Sequence, residues 1–65
     1  MNRKEIETSI ASYQNRLAYR KEKAVDAIKK NDFWVAQLAM CECVGFVAVI
    51  NELEFQLECM EANHV

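Results

Sequence analysis

A chain of 65 residues forms one domain at most, and a marginal one, since a chain this short buries only about 60% of its unfolded surface. It has no proline and one glycine, which excludes an all-β fold whose strands and tight turns need both. The net charge of −2 hides a division: residues 1–30 hold all eight Lys and Arg with four acids, while residues 31–65 hold six acids and no Lys or Arg. Two such halves attract one another when folded side by side, to an extent limited by salt.

The first element opens at Asn2, where Asn2 and Glu5 form the pattern of a capping box. Ile6, Ile10, Tyr13, Leu17, Ala24 and Ile28 follow at spacings of three, four or seven, one apolar stripe down a helix. The stripe weakens at Arg20 and Lys21, whose long stems cover apolar surface while their charges stay wet. Lys29 and Lys30 suit the C-terminal end of the helix dipole. The pattern predicts helix one over about residues 2–30.

Asn31-Asp32 is the break in the chain. Asn tolerates the left-handed conformation that ends helices, and Asp is a favoured N-cap for the next. A connection of two residues forces neighbouring helices to run antiparallel.

Helix two is predicted over about residues 33–62. Ala36, Ala39, Cys43, Phe46, Ile50, Leu53, Leu57 and Met60 alternate steps of three and four, a heptad seam. Its first half, Phe33 to Ile50, has Glu42 as its one charged residue and is too apolar for a helix with one wet face. Phe33, Met40, Val44 and Val47 make a second stripe beside the seam. From Asn51 onward the helix is amphipathic, with Glu52, Glu54, Glu58 and Glu61 outside. Two readings compete: a break at Gly45 or Asn51, giving three helices, and one unbroken helix in a long coiled coil, against which the seam shifts phase across Asn31-Asp32.

Folding the helices back pairs Ile6 and Ile10 with Leu57 and Leu53. It sets Leu17 near Phe46 and Ile50, Ala24 near Ala39 and Cys43, and Arg3 and Lys4 beside the C-terminal glutamates. The expected fold is all-α: one antiparallel two-helix hairpin domain over residues 1–65, dimerising into a four-helix bundle. Its hairpin core is Ile6, Ile10, Leu17, Phe46, Ile50, Leu53 and Leu57. Its self-association stripe is Phe33, Met40, Val44 and Val47.

Catalytic signatures are missing. There is no Gly-rich phosphate loop, no Ser/His/Asp set and no HExxH, and His64 is the one histidine. Cys41, Cys43 and Cys59 have poor spacing for a disulfide or zinc and nothing basic near them in sequence. They read as buried thiols in a reducing cytosol. No enzyme activity, metal or cofactor is expected. The polar, charged Met1–Ile10 stretch is no signal or transit sequence, and the expected location is cytoplasmic. Glu42 lies either on a wet strip or in a pair with a base of helix one that fixes register.

Binding is the function that remains: a small adaptor, regulator or inhibitor that partners itself and another protein, of the size and plainness of a phage or mobile-element accessory protein. Nucleic acid is the alternative partner. Arg16, Arg20, Lys23 and Lys30 fall in one row of helix one with Tyr19 beside it, and such rows grip phosphates and stack bases. The outline, a short hairpin that dimerises with basic first helices, resembles the Rop family of plasmid RNA-binding regulators in length and layout. No residue motif of that family is matched, so the resemblance assigns no residues. A third reading is a membrane protein spanning with residues 33–50. Eighteen residues is the lower limit for a span, and a central acid costs about 2.5–3.5 kcal/mol against about 0.3–0.6 gained per apolar side chain.

Overall fold

The computed structural model describes residues 2–62, and His64 lies outside them. Two helices, α1 (Arg3–Lys29) and α2 (Phe33–Ala62), lie against each other as a helical hairpin. Asn2 is extended and caps α1: its side-chain oxygen accepts from the Glu5 N–H at 2.8 Å. The Glu5 carboxylate reaches back to the Asn2 side-chain amide at 3.1 Å, a variant of the capping box in which the backbone N–H is the usual donor.

The turn is a Schellman motif. Asn31 takes φ 60°, the left-handed region that Asn tolerates better than most residues. Its N–H donates to the Ile28 carbonyl at 3.0 Å and the Asp32 N–H to the Ala27 carbonyl at 2.8 Å, which satisfies two carbonyls at the end of α1. Asp32 also starts α2, accepting from the Val35 N–H at 3.2 Å. One residue therefore closes one helix and caps the next, and the helices must lie side by side.

Ile6, Ala24, Ala27, Ala36, Ala39, Ile50 and Leu53 are buried. Four alanines close the turn end, where a two-residue connection brings the helices together and small side chains fit. Of the other expected core residues, Ile10, Leu17, Phe46 and Leu57 are half-buried. Tyr13 and Phe46 meet across the hairpin, ring centroids 6.0 Å apart. Arg3 pairs with Glu61 at 3.1 Å and Arg20 with Glu42 at 3.0 Å, which ties both the open end and the middle in the register drawn from the seams.

Two expectations change. Ile28 is exposed and Ala27 is buried in its place, because the seam of α1 runs Ile6, Ile10, Tyr13, Leu17, Arg20, Ala24, Ala27 in unbroken heptad steps. That sequence carries Arg20, half-buried, at a seam position. The thiols are not core thiols: Cys41 and Cys59 are exposed and only Cys43, on the seam of α2, is half-buried. As expected for a two-helix hairpin, α2 runs unbroken through Gly45 and Asn51, against the competing three-helix reading.

Gly45 has ordinary helical backbone and no atom within 4 Å of the place a Cβ would occupy. The hairpin gains nothing from its glycine, which costs about 0.8–1.0 kcal/mol relative to alanine in a helix. Gly45→Ala should raise the free energy of unfolding by about 1 kcal/mol in a denaturant titration. A loss of stability would mean that something approaches this position closely.

Candidate interaction surface

An antiparallel hairpin has two broad sides, and heptad position decides which residues reach each. Taking the seams as positions a and d, residues at e and b of both helices share one side and residues at g and c share the other. On α2 the first side carries Phe33, Met40 and Val47 at e and Val44 at b. On α1 it carries Ala11, Ala18 and Val25 at b and Ile28 at e. All eight are exposed, Phe33 by 65% and Val44 by 70%. The two helices together thus present a largely apolar side on the half of the hairpin nearest the turn, interrupted by Gln37 on α2 and Lys21 on α1. Toward the open end the same side becomes charged, with Lys4 and Glu7 on α1 and Glu54, Glu58 and Glu61 on α2.

The opposite side is polar on α1 and mixed on α2. Arg16, Lys23 and Lys30 stand at g and Tyr19 and Asp26 at c, with Val35, Glu42 and Val49 at g of α2. A surface depression here is lined by Asn15, Arg16, Tyr19, Arg20 and Phe46. The structure therefore places the predicted basic row on one side, but much of its charge is engaged. Arg20 is held by Glu42, and Lys30 pairs with Asp26 at 3.0 Å. The Tyr19 ring carries the Arg20 guanidinium at 5.5 Å and the Lys23 ammonium at 5.3 Å, and Arg16 lies 5.2 Å from the Tyr13 ring. A Tyr19 ring already in contact with two cations is a poorer stacking platform than an open one.

A third exposed strip runs down the back of α2, away from α1: Trp34, 71% exposed, then Leu38 and, further on, Phe55. Trp34 and Phe55 are the large residues that reading α2 as two stripes overlooked. Their spacing from Trp34 through Cys41 and Ala48 to Phe55 is a strict seven, opposite the seam, and that period was the available signal.

No polar or charged side chain is buried among the described residues, and no group of three or more His, Cys, Asp or Glu there could hold a metal ion. The Glu7 hydrogen bond, with the charges of Glu61 and Glu7, holds the Arg3 guanidinium above its ordinary value. Asp26 is held below the carboxylate range by the hydrogen bond and charge of Lys30. With its pKa depressed in the folded state, Asp26 favours folding at neutral pH and loses that contribution as pH falls through the lowered value. α2 also contains an 18-residue window of mean hydropathy 1.9 with one-sixth of its residues buried (17%), long and apolar enough to cross a membrane by composition alone. No protein-family model, curated protein or solved structure matches the chain.

The Arg20–Glu42 pair crosses the hairpin with both side chains about 40% exposed (40% and 43%), so water screens it. A double-mutant cycle of Arg20→Gln and Glu42→Gln should give a coupling of about 0.2–1 kcal/mol that shrinks as salt rises. A salt-insensitive coupling several times larger would show that this pair sets the register rather than accompanying it.

Proposed function

We propose that this protein is a small, non-enzymatic protein-binding module of the cytoplasm, an adaptor, regulator or inhibitor, that works as a homodimer of two hairpins in a four-helix bundle. The observation that carries this reading is the exposed apolar side near the turn, where Phe33, Met40, Val44 and Val47 stand together beside a seam already filled by α1. Phe33, 65% exposed, alone leaves roughly 100–160 Å² uncovered, taking 150–250 Å² for an aromatic side chain. Met40, Val44 and Val47 on the same side extend it toward the largest apolar patch of an ordinary monomer, about 300–600 Å². Among the described residues only three large side chains, Ile6, Ile50 and Leu53, are buried within one hairpin. A lone core of this size rarely supplies more than about 3–5 kcal/mol, and a second copy supplies the rest. With the e and b side covered by that copy, Trp34, Leu38 and Phe55 remain on the outside of α2 for a different protein.

The two other readings have less support. A span through α2 would strip it from α1, whose charged length cannot follow it into lipid, and would break the contacts of Arg3, Tyr13 and Arg20 with α2. A nucleic-acid role would rest on Arg16, Tyr19, Arg20, Lys23 and Lys30, of which Arg20 and Lys30 already hold acids.

The test is sedimentation over a concentration series without detergent, beside helicity on the same samples. The wild-type chain should be a dimer at micromolar concentration. Val44→Glu with Val47→Glu should dissociate it, because each large side chain buried is worth about 1.5–3 kcal/mol and both copies lose two. Unfolding on dissociation is compatible, since small obligate dimers often lack a stable monomer. A folded wild-type monomer, or a double variant that stays a helical dimer, contradicts the proposal.

A further inference from the structure

We infer that the second copy docks with its turn at the same end and its twofold axis parallel to the helices, so that each α1 lies against the α2 of the other copy through Val25 and Ile28. This rests on the homodimer reading and adds to it the orientation of the copies and the share of α1 in the contact. Sequence periodicity assigns the self-association to α2 alone. The hairpin shows more, because Val25 and Ile28, exposed by 51% and 46%, share the side of Phe33 and Met40.

Two hairpins can bring these sides together with turns at the same end or at opposite ends. With turns at opposite ends and full overlap, each helix meets its own copy running the other way. Phe33 then comes level with Glu61 and Met40 with Glu54 on α2, while Val25 comes level with Glu7 and Ile28 with Lys4 on α1. Phe33, Met40, Val25 and Ile28 all face charges, Val47 alone of the stripe meeting its own copy, and carboxylates are desolvated without partners. Sliding the copies to avoid this leaves only the turn-proximal halves in contact.

With turns at the same end, the register within one hairpin repeats between hairpins. Ile28 comes level with Phe33 of the other copy, Val25 with Met40, and Ala18 with Val44 and Val47. The apolar halves coincide. At the open end Lys4 faces Glu58 and Glu61 of the other copy, a contact of opposite charges, while Glu7, which comes level with Glu54 and Glu58, is answered by Arg3 of its own hairpin. Lys21 stands on this side too, and its stem lies along apolar surface with the ammonium at the rim. Neighbouring helices run antiparallel at all four contacts in either arrangement, so their dipoles do not decide between the two. Overlap is complete: a hairpin whose Cα atoms extend 52 Å by 14 Å offers roughly 700 Å² before side chains are added, near the 800 Å² per partner of a standard interface.

The experiment uses Val25→Glu and Met40→Lys, alone and mixed, read by native mass spectrometry and by helicity. Both residues are about half exposed in the single hairpin (51% and 47%) and neither belongs to its seam, so helicity of each variant reads what the change costs the hairpin itself. Each variant alone should weaken the dimer at least about tenfold. In the mixture the introduced carboxylate meets the introduced ammonium across the α1–α2 contact, and the heterodimer should exceed its statistical share. Where the separate variants unfold, recovery of helicity on mixing reads the same contact. A wild-type chain that is monomeric overturns the homodimer reading and this inference with it. A wild-type dimer indifferent to Val25→Glu leaves the homodimer standing and overturns the orientation. So does a mixture with no excess of heterodimer.

Discussion

The structure depends on one imbalance: α2 carries more apolar surface than one neighbouring helix can cover. Its first half has a single charged residue in eighteen, Glu42, and that one is answered by Arg20. α1 covers the seam from Ala36 to Leu53, and what remains is Phe33, Trp34, Met40 and Val44 facing outward. Water around such a surface is costly in proportion to its area. On the proposed reading the hairpin is half of a solution, and a second copy supplies the other half.

Charge decides how the excess is shared. α1 is polar everywhere but its seam and the Val25–Ile28 corner, and it holds all of the Lys and Arg in the chain. α2 turns acidic just where its apolar surface ends, from Glu52 onward. Lipid could take the first half of α2 but not the second, and not α1. In the proposed arrangement, a second hairpin covers the apolar groups near the turn and sets Lys4 against Glu58 and Glu61 beyond them. The exposed Trp34 strip is left over in that arrangement, which is why a protein-binding role fits the molecule better than a purely self-contained one.

Much of the hairpin was legible in the sequence because its signals are local. Asn31 and Asp32 announced the turn by their backbone preferences, and the helix limits follow from the caps on either side. The seam of α2 was legible because its large residues repeat without a gap. α1 was harder at both places where size and polarity disagree with position. Ile28 looks like core and Ala27 does not, yet the turn end admits only small residues between the helices. Arg20 looks like surface, yet the heptad places it on the seam with its charge turned out to Glu42. The cysteines were misplaced for a related reason: an apolar neighbourhood in sequence implies burial only if some element covers it, and nothing in one hairpin covers Cys41 or Cys59. The apolar broad side was half-legible, since reading stripes one helix at a time cannot show that Val25 and Ile28 join Phe33 and Met40.

Small-angle scattering in detergent-free buffer tests the central claim most directly, because it reads mass and shape together. The account predicts twice the mass of one chain with a longest dimension close to that of a single hairpin, whose Cα atoms extend 52 Å. The mass of one chain, or a doubled mass with a length well beyond that of one hairpin, would contradict it.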